Sequence, residues 1–149
     1  MRPALVWMAV PFLAAALLNA CREPQAPIGP GSGHALYLAR CAVCHGQNGE
    51  GRPGLYPPLA GSEYINGSPE RLAAIVLDGL QGPLDHYNAV MPGWRGYLKD
   101  AEIAAIISWL RQKEGKPSVT PVEVARVHIQ TEGRNTFWTV ADLQHLNIH

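Results

Sequence analysis

Apolar residues recur with helical spacing over residues 101–114. The positions i, i+3, i+4 and i+7 form one apolar stripe, made of Ile103, Ile106, Ile107 and Leu110. Asp100 is a suitable N-cap, and Gly115 is a suitable C-terminal stop. The pattern therefore predicts an amphipathic helix in this segment.

Two earlier segments also predict helices. The stretch "GHALYLAR" begins at Gly33, and Ser32 before it can cap a helix on which Gly33 and Tyr37 share one face. In "SPERLAAIVLDGL", Ser68 is the cap, Pro69 occupies the first helical position, and Gly79 lies near the end. The apolar face of this second helix lines either a core or a ligand pocket, and it consists of Leu72, Ile75, Val76 and Leu80.

The final segment, residues 117–149, allows two interpretations. "TPVE" at 120–123 has the form of a capping box with proline at the first helical position, and "TVAD" at 139–142 can start a second short helix. The β-branched residues of 122–129 and the turn-like "TEGRN" favour a hairpin instead. We expect short helices that wrap the preceding unit and cover apolar surface such as Phe137 and Trp138.

The N-terminal region has a different composition. Residues 3–18 carry no charge, and the run is shorter than the roughly 20 apolar residues that a membrane-spanning helix needs. It is typical of a signal peptide, and "LNAC" at 18–21 resembles a bacterial lipoprotein cleavage box in which Cys21 becomes the lipidated first residue. The alternatives are an ordinary signal peptide or an uncleaved anchor. Residues 22–32 contain three prolines and two glycines and predict a linker.

Length and charge limit the possible functions. The chain of 149 residues is long enough for one compact domain with appendages. Its 12 basic residues balance its 12 acidic residues, which argues against nucleic acid as a partner. The chemistry is therefore sought in specific residues.

The stretch "CAVCH" holds two thiols and an adjacent histidine, Cys41, Cys44 and His45. A disulfide is possible in an exported protein, but a thioredoxin-like site needs a preceding strand, and a zinc site usually needs a second pair of ligands. The remaining interpretation is covalent haem, in which both thiols form thioethers and His45 becomes an axial ligand of the iron. The motif alone is moderately specific.

Met91 is a candidate for the second axial ligand. Met1 and Met8 lie in the signal segment, so Met91 is the methionine that the mature chain keeps. It lies in "NAVMPGW", where Pro92 and Gly93 favour a turn, and its thioether is a soft ligand for haem iron. A gap-filling methionine is the alternative role, and His86 is the main rival ligand.

Residues 33–115 closely resemble a class I (monohaem) c-type cytochrome of the small bacterial kind. The resemblance rests on four segments in order: "GHALYLARCAVCHG", "YPPLAG", "MPGW" and "LKDAEIAAIISWLRQ". It implies that Gly33 and Tyr37 pack against Trp109 of the last helix. It also implies that the carbonyl group of Pro57 accepts the other ring proton of His45 and so orients the imidazole. The tail resembles extensions of some bacterial cytochromes that serve dehydrogenases.

The resemblance implies an all-α fold, a small cytochrome c fold wrapped around one covalent haem c, with a short helical C-terminal extension. The predicted divisions are a lipoprotein-type signal peptide (1–20), a linker (21–32), a cytochrome domain (33–116) and the extension (117–149). The predicted function is a one-electron carrier whose donor and acceptor are redox proteins, expected to be a membrane-associated dehydrogenase or a terminal oxidase. It is expected to be periplasmic and held to a membrane through Cys21. The alternatives are the haem subunit of a membrane-associated dehydrogenase or oxidase complex, and a ligand-binding haem sensor or peroxidase.

Overall fold

The computed structural model describes residues 32–84 and 87–148. Within these ranges the chain forms seven helices and two short strands, so the predicted all-α fold with a helical extension is confirmed. In chain order the elements are α1 (Ser32–Arg40), α2 (Ala42–His45), α3 (Glu63–Asn66), α4 (Pro69–Asp78), β1 (Leu80–Gln81), β2 (Val90–Met91), α5 (Asp100–Lys113), α6 (Pro121–Gln130) and α7 (Val140–Gln144).

Helix α1 packs against α5 at Gly33, as predicted. A Cβ atom at Gly33 would lie 2.2 Å from the carbonyl oxygen of Ala105, so only glycine allows the two backbones to approach this closely. The rings of Tyr37 and Trp109 lie 4.6 Å apart between centroids, and His34 stacks on the same indole. Because Tyr37 is fully buried, this aromatic contact fixes where α1 crosses the last helix of the cytochrome unit.

We expect Gly33→Ala to destabilise the protein by about 2 kcal/mol, because the added methyl group meets backbone that cannot move aside. Chemical unfolding of the purified protein would measure the loss. Ala35→Gly, at an exposed position of the same helix, is the control for helix propensity alone. A Gly33→Ala protein as stable as the parent would show that the crossing has room for a side chain.

The second predicted helix is α4, and its caps are confirmed. The side chain of Ser68 accepts a hydrogen bond from the amide of Arg71, Pro69 is the first helical residue, and Gly79 ends the helix with a φ of +82°. The four residues predicted to line a core or a pocket are all buried in the core: Leu72, Ile75, Val76 and Leu80. Of the four, Leu80 also lines a cleft, described below.

Helix α5 begins one residue earlier than its predicted cap implies. Asp100 is its first helical residue, and Lys99 is the N-cap. The reason is the carboxylate of Glu102, which accepts a hydrogen bond of 2.8 Å from the amide of Lys99. This bond satisfies one of the amides at the start of the helix, so the aspartate is not needed as the cap.

The tail is helical, and the hairpin alternative is wrong. Thr120 with Glu123 forms the predicted capping box at the start of α6, and α7 begins at the predicted second start, where Thr139 with Asp142 forms a capping box that was not predicted. Val124 and Val127 of α6 are fully buried and belong to the same core as α4 and α5. Ser108 of α5 donates to the carbonyl oxygen of Val119 and accepts from its amide.

A small sheet connects the strand that carries Met91 to the C-terminal extension. In the antiparallel pair β1–β2, Leu80 faces Met91. On the other edge of β1, the backbone of Trp138 accepts a hydrogen bond of 2.9 Å from the amide of Gln81 and donates one of 3.1 Å to the carbonyl oxygen of Gly79. Trp138 is buried, as expected, whereas Phe137 is 39% exposed.

Residues 32–84 and 87–148 include no helix that combines the length and hydropathy required to cross a bilayer. The predicted signal peptide, Cys21, the linker up to residue 31 and the rival ligand His86 lie outside the described residues, whereas Ser32, the last residue of the predicted linker, is the first residue of α1.

Candidate haem site

The two thiols and His45 lie on one short helix that continues from α1. Cys41 is the N-cap of α2, and its amide donates to the carbonyl oxygen of Tyr37, so this one residue connects α1 to α2. The amide of His45 donates in turn to the carbonyl oxygen of Cys41. Two residues separate Cys41 from Cys44, so on one helical turn both sulfurs and the imidazole of His45 lie close together.

A glycine-rich loop after His45 folds back beneath the histidine. Gly46, Gly49 and Gly51 all have positive φ angles. A Cβ atom at Gly51 would lie 2.7 Å from the carbonyl oxygen of Pro57, which shows how closely the loop meets the "YPPL" segment. The hydroxyl group of Tyr37 donates to the carbonyl oxygen of Gly46 at 2.7 Å and ties the loop to α1.

A cleft of about 720 Å³ separates this histidine segment from the strand that carries Met91. Cys44, His45 and Pro57 line the cleft from the histidine segment, and Leu80 and Met91 line it from the segment that contains the sheet. The remaining lining residues are mostly apolar or aromatic: Tyr56, Pro58, Ala60, Gly61, Ser62, Glu63, Tyr64, Leu84, Tyr87, Ala89, Val90 and Pro92. The structure therefore brings the predicted histidine and methionine to a single apolar cleft.

Burial sets the protonation states at this site. It lowers the pKa of His45, so the imidazole is neutral and keeps a lone pair for a metal. Burial, with a smaller contribution from Cys44, raises the pKa of the Cys41 thiol to about 11. Both thiols are free rather than joined in a disulfide.

Two observations test whether these residues suit a haem group. The Nδ1 atom of His45 is buried and has no hydrogen-bond partner, a state that proteins usually avoid. In the described part of the chain, no three His, Cys, Asp or Glu residues are grouped as ligands for an ion, which gives the zinc alternative no support. The neutral imidazole of His45, the Cys44 thiol and the Met91 thioether line one apolar cleft, and with the free thiol of Cys41 three residues earlier in the chain they fit covalent haem.

The predicted hydrogen bond between His45 and Pro57 is not formed in this structure. Pro57 lines the same cleft, but Nδ1 of His45 has no partner there. The role of Pro57 therefore stays a prediction.

Sequence reasoning missed Arg95 and Asp78, which do not line the cleft but lie close in sequence to residues that do, four residues after Met91 and two before Leu80. Nε and Nη2 of Arg95 donate to the two carboxylate oxygens of Asp78 at 2.6 and 3.0 Å. The signal available in the sequence was weak: each is a single charge beside an otherwise apolar segment. Neither belongs to a periodic pattern or a recognised motif.

The fold and the cleft define a c-type cytochrome. The family model described as "Cytochrome C oxidase, cbb3-type, subunit III" matches residues 30–110, more than half of the chain. The chain therefore belongs to this family of c-type cytochromes. Its cofactor is covalently bound haem c, and its cytochrome domain transfers electrons rather than catalysing a reaction on a substrate.

Curated relatives extend this result. Cytochrome c-552 of Thermus thermophilus is 46% identical over 82 residues, which cover 50% of this chain and 62% of the relative. The cytochrome c subunit of alcohol dehydrogenase (quinone) from Gluconobacter oxydans is 32% identical over 109 residues, covering 68% of this chain and 22% of the relative. The fructose dehydrogenase cytochrome subunit of Gluconobacter japonicus is 30% identical over 109 residues, with the same coverage. The chain thus spans less than two thirds of the length of these relatives.

Proposed function

We propose that the protein is an exported one-electron carrier of the class I type with one haem c. Cys41 and Cys44 attach the haem through thioethers, and His45 and Met91 are the axial ligands of its iron. The observation that supports this most strongly is the apolar cleft lined by Cys44, His45 and Met91 together. The bound haem supplies the one-electron step between ferric and ferrous iron.

The chain's own residues would hold and tune that group. Burial keeps the imidazole of His45 neutral, so that its lone pair is available to bind iron. The thioether of Met91 favours the reduced state, and the apolar walls act in the same direction because they disfavour additional positive charge. Pro57 is proposed to accept the Nδ1–H proton of His45 and so to orient the ring.

Absorption spectra of the purified protein in both redox states, with and without carbon monoxide, test this function. We expect the spectrum of a covalently bound, six-coordinate haem that binds carbon monoxide only slowly at neutral pH, at the rate at which the thioether leaves the iron. A colourless protein from a host that can mature cytochromes would contradict the proposal. Rapid binding of carbon monoxide would instead favour a ligand-binding haem sensor or a peroxidase.

We further propose the predicted divisions of the chain: signal peptide 1–20, linker 21–32, cytochrome domain 33–116 and extension 117–149. Cys21 would be lipidated, which would place the domain in the periplasm and tether it to a membrane. The support is the uncharged run of residues 3–18 followed by "LNAC". Tethering would raise the effective concentration of donor and acceptor on one surface.

Cys21→Ser is expected to move most of the protein from the membrane fraction to the soluble periplasmic fraction, or to block its processing. The reason is that the variant has no thiol to which lipid can be attached. Cell fractionation followed by haem staining measures the distribution. An unchanged distribution would show that Cys21 is not the anchor.

A second candidate function is the haem subunit of a dehydrogenase or oxidase complex. It is favoured because the Gluconobacter dehydrogenase subunits match 68% of this chain, whereas the Thermus cytochrome matches 50%. Purification under mild conditions would distinguish the two. A stoichiometric partner subunit would support the complex, and a monomer that exchanges electrons freely would support the independent carrier.

A further inference from the structure

The segment that follows Met91 is fixed to the end of α4. The amides of Trp94 and Arg95 donate to the carbonyl oxygens of Val76 and Leu77, both at 2.9 Å. Gly93 makes this approach possible, since a Cβ atom there would lie 2.7 Å from the carbonyl oxygen of Leu77. The segment therefore satisfies carbonyl groups that the end of a helix leaves without partners.

The guanidinium group of Arg95 connects this segment to the C-terminal extension. On one side it forms the two-bond ion pair with Asp78, whose side chain is only 4% exposed. On the other side Nη1 donates to the carbonyl oxygen of His128 at 3.0 Å, and Nη2 donates to the hydroxyl group of Thr131 at 2.6 Å. Charge-assisted bonds of this kind are strong and directional. One side chain thus joins the methionine segment to the end of α4 and the end of α6.

The extension makes a second, independent contact beside Met91. β1 lies between β2, which carries Met91, and the backbone of Trp138. At Gly79 a Cβ atom would lie 2.4 Å from the carbonyl oxygen of Met91 and 2.8 Å from the ring of Phe137. The strand of Met91 is therefore supported by residues of the extension as well as by α4.

We infer that Arg95 is a positioning residue for Met91 and that the C-terminal extension acts on the haem site through it. This inference rests on the proposed ligation of the iron by Met91. A neutral thioether is a weak ligand, so its residence on the iron depends on how firmly the polypeptide holds it in place. Loss of the Arg95 contacts would let residues 91–95 open more often and would shorten that residence without altering the ligand itself.

The experiment measures how often Met91 leaves the iron of the reduced holoprotein. At saturating carbon monoxide the binding rate is limited by departure of the thioether. We expect Arg95→Met to raise this rate about tenfold, the change expected when a charge-assisted hydrogen bond is lost. Thr131→Val removes one of the two bonds between Arg95 and the extension, together with the bond that the hydroxyl group donates to the carbonyl oxygen of Val127, and is expected to give a smaller increase. Thr131→Ser keeps the hydroxyl group and should restore the parental rate.

Val124→Ala and Arg111→Met are the matched controls for general loss of stability. Val124 is a fully buried residue of the same helix, α6, and does not contact Arg95 through any hydrogen bond. Arg111 is a buried arginine that donates to the carbonyl oxygens of Ile65, Gly67 and Pro117 instead. Both variants are expected to lower the melting temperature at least as much as Thr131→Val does while leaving the carbon monoxide rate near that of the parent.

Amide hydrogen exchange in the holoprotein is the second readout. Faster exchange at Trp94 and Arg95 in Thr131→Val, with parental exchange there in Val124→Ala, would support the inference. If Met91→Ala opens the iron but Thr131→Val and Arg95→Met behave like the two controls, the inference is overturned and the ligation stands. If Met91→Ala leaves both the spectrum and the carbon monoxide rate unchanged, the proposed ligation itself fails.

Discussion

The double variant Cys41→Ser, Cys44→Ser is expected to lose all haem staining on a denaturing gel. Denaturant releases haem that is held only by iron ligands and packing, whereas thioether bonds survive it. Each single variant keeps one thioether and should retain part of the stain. The measurement is the stain intensity divided by the amount of protein on the gel.

Cys21→Ser is the matched control because it removes a thiol outside the proposed attachment motif. It should stain like the parent, whatever its effect on membrane association. Full staining of the double variant would mean that the haem is attached elsewhere in the chain, and the assignment of Cys41 and Cys44 would be wrong.

Replacing Met91 with alanine is expected to leave the haem attached, open the iron to carbon monoxide and lower the midpoint potential. Axial ligands set haem potentials over a range of roughly 0.8 V, so the fall should be on the order of 0.1 V. The physical reason is that a thioether stabilises ferrous iron more than water or hydroxide does. Redox titration and carbon monoxide difference spectra measure the two effects.

Tyr97→Ala is the control for this variant, because Tyr97 follows Met91 in the chain, does not line the cleft and is 81% exposed. It should leave the potential close to that of the parent. An unchanged spectrum in Met91→Ala would refute ligation by this residue. The same measurements on His86→Ala would then test the rival ligand.

The sequence predicted the helices well because their signals are local. Ser68, Pro69 and Gly79 mark the ends of α4, and the Thr120 and Thr139 capping boxes mark the starts of α6 and α7. Each of these signals needs only a few neighbouring residues, so it can be recognised without the rest of the fold. The contact of Gly33 with α5 was predicted from the family resemblance rather than from spacing.

The parts that could not be predicted depend on contacts between distant residues. Arg95 and Thr131 meet although they are 36 residues apart, and neither lies in a motif. The pairing of Trp138 with β1 requires the extension to return to α4, which no periodicity encodes. Whether the helix is capped at Lys99 or at Asp100 depends on the conformation of the Glu102 side chain, which the sequence alone does not give.

The bond between Tyr37 and Gly46 has a consequence for the order in which the protein assembles. It joins residues nine positions apart, so this bond beside the thiols can form between residues that are close together in the sequence. The bond between Arg95 and Thr131 must wait for a much later part of the chain. Since chains emerge from synthesis with the N-terminal part first, the attachment motif is complete while the opposite wall is still open. The thiols and His45 can thus receive the haem while the contacts between Arg95 and the extension are still unformed.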